Sequence, residues 1–256
     1  MKKGFTLAEV LITLGIIGVV AAITIPNLIT KVQNNIYVNQ FKKSYSVMQQ
    51  GFKKLVNDDD FLGDFLSTAT ADDAFYEKLI PYFQSTFNVA DAYGPTKFAQ
   101  ITHSGNISDV NKCKEYVGKE PGIAYKVDNR SQCVGDPSGM LIVLNNGEYF
   151  SFEKLPASYL NKGILAEIEF DTNGLNKPNM YGYDFFNLIL LDNGEVTPAG
   201  SRKYAEQYAG DDWQSRYWAT GSGYTCKDKV LRPSYSGYGS GCAAAVIDNN
   251  WTINYK

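Results

Sequence analysis

The chain begins with an uncharged apolar stretch, Val10 to Thr30, preceded by Lys2, Lys3 and a single acid, Glu9. As α-helix, 21 residues measure about 31 Å, enough to cross the hydrocarbon of a bilayer. Twelve Phe, Leu, Ile or Val residues stand between Phe5 and Ile25. Each favours insertion by roughly 0.3–0.6 kcal/mol, so together they outweigh the roughly 3 kcal/mol that one carboxylate costs. The segment is predicted to span a membrane, with Lys2 and Lys3 holding its first end in the cytoplasm and everything after Lys31 on the far side. Pro26 lacks an N–H and is predicted to kink or locally open the helix. Gly15 and Gly18 loosen the same stretch or allow close helix approach. Beyond Pro26, Ile29, Val32, Ile36, Phe41, Tyr45, Met48, Phe52 and Leu55 recur at close to helical spacing, a single apolar stripe. One helix is therefore predicted from about Phe5 to about Val56, half in the membrane and half lying on a globular head. Lys31, Lys42, Lys43, Lys53 and Lys54 form its solvated face.

The pattern changes at Asp58-Asp59-Asp60. Asp72 or Asp73 is placed to cap a short helix from Ala74 to Ile80, stopped by Pro81. Strand signals follow. Met140–Leu144 and Glu148–Phe152 flank Asn145-Asn146-Gly147, a hairpin turn signal. Ile164–Phe170 reads as a strand, and Phe185–Leu191 pairs with Glu195–Thr197 across Asp192-Asn193-Gly194. Tyr204–Trp218 reads as helix broken at Gly210-Asp211-Asp212, and Ala243–Ile247 with Trp251–Tyr255 as a closing hairpin around Asp248-Asn249-Asn250. The expected class is α+β, a long N-terminal helix packed on an antiparallel sheet. Its parts are residues 1–4, a basic N-terminal tetrapeptide; 5–28, the transmembrane helix; 29–57, an amphipathic continuation; and 58–256, a head large enough to bury its own core.

Net charge is −3, slightly negative overall. That is not the balance of a nucleic-acid binder, so no nucleic-acid partner is expected. No catalytic set assembles either. His103 is the sole histidine; neither a Gly-x-Ser-x-Gly elbow nor a phosphate-cradling glycine motif accompanies it, so the chain reads as a non-enzyme. The glycine-rich stretches around Gly221 and Gly237 read as surface loops, and tyrosine, 18 residues in all, suits contact surfaces better than chemistry.

Cys113, Cys133, Cys226 and Cys242 all lie beyond the apolar segment, where thiols oxidise. Three pairings are possible, with sequence neighbours favoured because each closes a modest loop worth about 3 kcal/mol. Zinc is disfavoured, since no Cys-x-x-Cys occurs. Between the two middle strands, Asp171, Asn173 and Asp184 offer oxygens around glycine turns. They are candidate ligands for a structural calcium, the one cofactor considered, although Gly182 stands where a closing Glu is needed. The competing reading is a pair of turns held by Asx side chains.

The junction Lys-Lys-Gly4-Phe5, followed by Thr6 and by Glu9 four residues after the Phe, resembles the prepilin signal of type IV pilins and type II secretion pseudopilins. An ordinary secretory signal or a plain anchor leaves the spacing of Glu9 unexplained. The resemblance implies cleavage between Gly4 and Phe5 by a membrane prepilin peptidase and N-methylation of Phe5. It further implies assembly into a pilus or pseudopilus, in which Glu9 of one subunit meets the Phe5 amine of its neighbour. The implied partners are the bacterial inner membrane, that peptidase and other subunits, with the head outside the cytoplasm. Pilins also carry a proline near the place of Pro26 and a disulfide-bounded C-terminal region, and major pseudopilins carry calcium in a late loop. The alternative function is a surface adhesin or DNA-uptake module carried on a pilin helix.

Overall fold

The computed structural model describes residues 4, 6–58, 81–83, 89–93, 124–126, 133–135, 140–144, 147–155, 163–174, 176–198 and 241–253. Helix α1, Leu7–Val56, is a single element of 50 residues. Its first 30 residues follow from the apolar run. Its last 20 follow from the head they bury, since Val38, Phe41, Ser44, Met48, Gly51, Phe52 and Leu55 are buried. The expected stripe is right from Phe41 onward and wrong before it. Ile29, Val32 and Ile36 are each about half exposed; among the described residues, the first polar tie from the helix to the head is at Asn34, whose side chain donates to the Ile253 carbonyl at 3.2 Å. Pro26 lies inside the helix, which continues on both sides of it.

Among the described residues eight strands follow: β1 Val89–Tyr93, β2 Ala124–Lys126, β3 Cys133–Gly135, β4 Met140–Leu144, β5 Tyr149–Lys154, β6 Ile164–Asp171, β7 Phe185–Leu191 and β8 Val196–Pro198. Six of them form one sheet in the order β1-β4-β5-β6-β7-β8, every pair antiparallel, and β2 and β3 pair separately. The expected β4–β5 and β7–β8 hairpins are present. At their turns Gly147 and Gly194 take φ of 85° and 77°, the left-handed region where glycine carries no steric cost. Gly194 has a second reason. A Cβ there would lie 3.1 Å from the Lys53 Cα and from the Phe52 carbonyl, so the bare turn lets the sheet close on α1.

Register puts Ala166, Ile168 and Phe170 of β6 opposite Leu190, Leu188 and Phe186 of β7. These side chains share one face and join the helix in a single core. Phe41 is the hub, stacked on Phe186 at 4.1 Å between ring centroids and within 5.9 Å of Phe170, Tyr45 and Trp251. One helical span further on, Phe52 packs against Phe83 and Phe150. Polar ties reinforce the docking. Glu148, buried, accepts from Lys43 Nζ at 3.0 Å and Ser44 Oγ at 2.9 Å. At the sheet edge the Gln49 amide and the Tyr45 hydroxyl donate to the Val196 carbonyl, while the Val196 N–H donates to Gln49 Oε1 at 3.1 Å.

Two expectations are corrected. The closing hairpin is instead helix α2, Cys242–Asp248, with Asn249 as its C-cap. Three consecutive alanines favour helix, and Cys242, Ala243, Ala244 and Val246 are its buried residues. Pro81 does not stop a helix, because residues 81–83 are themselves helical. The helix expected over 74–80 and the one over 204–218 lie outside the described residues, as do His103 and the glycine-rich loops.

Candidate functional site

Thr6 is the N-cap of α1 and Glu9 stands at its third position, the two joined in a capping box. The Thr6 N–H donates to Glu9 Oε2 at 2.8 Å and the Thr6 hydroxyl to the same oxygen at 2.7 Å, while the Glu9 N–H donates to Thr6 Oγ1 at 3.3 Å. Two of the unpaired amides that every helix start presents are thereby satisfied. The negative carboxylate also lies at the positive end of the helix dipole. In this single chain Glu9 therefore has a partner of its own. Reading Glu9 only against the Gly4–Phe5 junction misses Thr6 as that partner, although the Thr-x-x-Glu spacing is the signal that finds it. Gly4 is exposed, with no described atom within 4 Å of a would-be Cβ. Phe5 lies outside the described residues.

Past this cap the surface of the helix is mostly apolar as far as Thr30. Leu7, Leu11, Ile12, Leu14, Ile16 and Ile17 are each at least 60 % exposed. The most apolar window of α1 has a mean hydropathy of 2.4 and none of it is buried. A surface of this kind is stable in lipid or against other helices, not in water.

The residues considered for calcium lie elsewhere, in the β6–β7 connection. Asp171 Oδ1 accepts from the Asn173 and Gly174 N–H groups at 2.8 and 2.6 Å, and its Oδ2 accepts from the Tyr149 hydroxyl at 3.2 Å. Asp184 accepts from the Asn179 and Met180 N–H groups, each at 2.7 Å. Both are Asx-held turns of the kind anticipated. Gly174, with φ of 67°, packs so closely on the Gly147 carbonyl that a Cβ would meet it at 2.0 Å, which locks this connection to the β4–β5 turn. Both carboxylates are wholly buried. Burial, then the charge of Asp184, pushes the Asp171 carboxyl well above its ordinary range. Burial likewise pushes Asp184 up to about 7 against the opposing amide hydrogen bonds. Two anions so placed call for a compensating proton or cation. Nearby, Thr172 Oγ1 and Asn173 Oδ1 are buried oxygens without a hydrogen-bond partner. Among the described residues, no three His, Cys, Asp or Glu side chains gather.

Of the cysteines, Cys133 lies in β3, and Cys242, buried at the start of α2, is disulfide-bonded. Cys113 and Cys226 fall outside the described residues.

Comparison with known proteins agrees with the geometry at the N-terminus. Residues 1–25 match the family model described as the prokaryotic N-terminal methylation motif. No curated protein and no solved structure matches the chain. The matched residues hold the Gly4–Phe5 junction, the Thr6–Glu9 box and most of the exposed apolar run.

Proposed function

We propose that this chain, which carries the prepilin signal of type IV pilins and pseudopilins, is a structural subunit that polymerises through α1 into a pilus or pseudopilus. Prepilin peptidase cuts between Gly4 and Phe5 and Phe5 is N-methylated. The matured subunit waits in the inner membrane with its head outside the cytoplasm. The observation that carries this reading is a helix that is largely apolar and almost wholly exposed from Leu7 to Thr30 while its last 20 residues are built into a folded head. Such a helix has one face of its life in lipid and another against copies of itself. Cleavage creates an ammonium at Phe5, one turn before Glu9. A buried ammonium and a buried carboxylate are each costly alone and tolerable as a pair. In the filament Glu9 exchanges its Thr6 bonds for the amine of the adjoining subunit, and that exchange sets axial register.

Mass spectrometry of the mature N-terminus tests maturation directly. The expected first residue is Phe5, heavier by one methyl group; any other start removes the amine on which the register depends.

Calcium in the β6–β7 connection belongs to the same proposal. Asp171 and Asp184 supply charge, and the orphaned Thr172 and Asn173 oxygens supply neutral ligands of the hard type that this ion prefers. When bound, it neutralises the paired acids and fixes the connection. Calorimetry of the full chain in micelles should then show the unfolding temperature falling when calcium is chelated. An unchanged transition would leave the two turns to be held by a proton and the backbone alone.

A further inference from the structure

Four polar side chains lie within the apolar run, and each turns back on the helix. The hydroxyl of Thr13 donates to the carbonyls of Glu9 and Val10, Thr24 to Val20, Asn27 to Ile23 and Thr30 to Pro26, all at 2.9–3.2 Å. Donors satisfied inside the helix do not seek water, so none of them marks a depth in lipid. Lys31 differs. It is exposed, it is the first charged residue after Glu9, and among the described residues it makes no ion pair or hydrogen bond. The other described lysines of that half are engaged with the head in three of four cases. Lys42 lies over the Trp251 ring at 5.3 Å, Lys43 binds Glu148, and Lys53 donates to the Asn193 carbonyl at 2.7 Å.

Position supplies the rest. From Leu7 to Lys31 the helix rises about 36 Å, against a hydrocarbon thickness of about 30 Å and a full bilayer of about 40–45 Å. With Leu7 at the inner edge of the hydrocarbon, the Lys31 backbone falls about 6 Å past the outer edge, inside the headgroup layer. A long ammonium there reaches phosphate oxygens, and lysines near helix ends behave in this way. The head begins almost at once, with Asn34 bonded to the Ile253 carbonyl and Val38 buried.

We propose that Lys31 is a lipid-phosphate contact that fixes the depth of α1 and thereby seats the base of the head, Asn34 with Ile253, on the outer headgroup layer before assembly. This rests on the membrane-spanning reading above. It adds a partner, the lipid phosphate, and a residue that reads it. Extraction into a filament must then break this contact as well as remove apolar surface from lipid.

The test uses the full chain with ¹⁵N-labelled lysine, reconstituted in phosphatidylcholine and phosphatidylglycerol bilayers. Solid-state NMR should show a lysine Nζ signal attenuated by nearby ³¹P, lost in Lys31→Gln and kept in Lys42→Gln. If Lys31→Gln retains every attenuated signal, the contact does not exist. Protease protection in the same vesicles reports spanning separately: a chain that spans without the Lys31 signal overturns this inference alone, whereas one that fails to span overturns the reading beneath it. In phosphate-free detergent with added inorganic phosphate no attenuation is expected; its appearance there would assign Lys31 to free phosphate and refute the lipid seat.

Discussion

Glu9→Val is expected to leave the protein in the membrane and to abolish filaments. Replacing the acid removes a cost of roughly 3 kcal/mol at worst and adds an apolar side chain, so insertion does not suffer. Assembly does. The variant leaves the Phe5 ammonium of the adjoining subunit without a counter-charge in low dielectric, and breaking one side of a buried pair typically costs about 3–5 kcal/mol. Repeated at every subunit contact, that cost is enough to stop growth. Membrane fractionation together with electron microscopy of sheared surface material checks both halves, and normal filaments from the variant would remove the register mechanism. Loss of the Thr6 box complicates the comparison only slightly, since a cap is worth about 1 kcal/mol.

Phe41→Ala is expected to cost about 3–5 kcal/mol of head stability, two to four orders of magnitude in the folding equilibrium. No part of this ring is exposed, and it touches β6 and β7 through Phe170 and Phe186 and the C-terminal segment through Trp251. Its removal opens a cavity where three elements meet, which leaves little room for collapse. Denaturant unfolding of the full chain in micelles, followed by near-ultraviolet circular dichroism, gives the value. Phe41→Leu should lose clearly less, because it keeps most of the volume; equal losses would mean that stacking rather than filling holds α1 to the sheet.

Those two residues also show what could be read from sequence. Phe41 is legible because the stripe from Phe41 to Leu55 repeats at helical spacing and meets a head that can cover it. Ile29, Val32 and Ile36 follow the same spacing yet stay exposed, since periodicity reports an apolar face without saying what lies against it. The hairpins at Gly147 and Gly194 are legible from short apolar runs interrupted by Asn-Gly. Helix α2 is not, because Asp248-Asn249-Asn250 suits a helix end as well as a hairpin turn and the three alanines before it decide the matter. Strands β2 and β3, of three residues each, are too short to carry a period, and β1, of five, holds Asp91 between two alanines and so lacks a strand-like composition, although Gly94-Pro95 follows it. At the N-terminus Glu9 is legible as out of place. Its bond to Thr6 needed the cap spacing to be read as well. The buried acids Asp171 and Asp184 are visible as turn formers, but their mutual effect depends on a depth of burial that composition does not reveal.

The Gln49 amide, by occupying both backbone groups of Val196, closes the rim of β8, and Pro198 at its end has no N–H to offer. An uncovered rim invites strand-by-strand addition of further chains, the route to amyloid-like stacking. With this border sealed by the subunit's own rod, crowding heads cannot zip together along it. In the filament proposed above, where heads crowd together, this seal on the β8 side removes one route by which sheets of adjoining copies could merge.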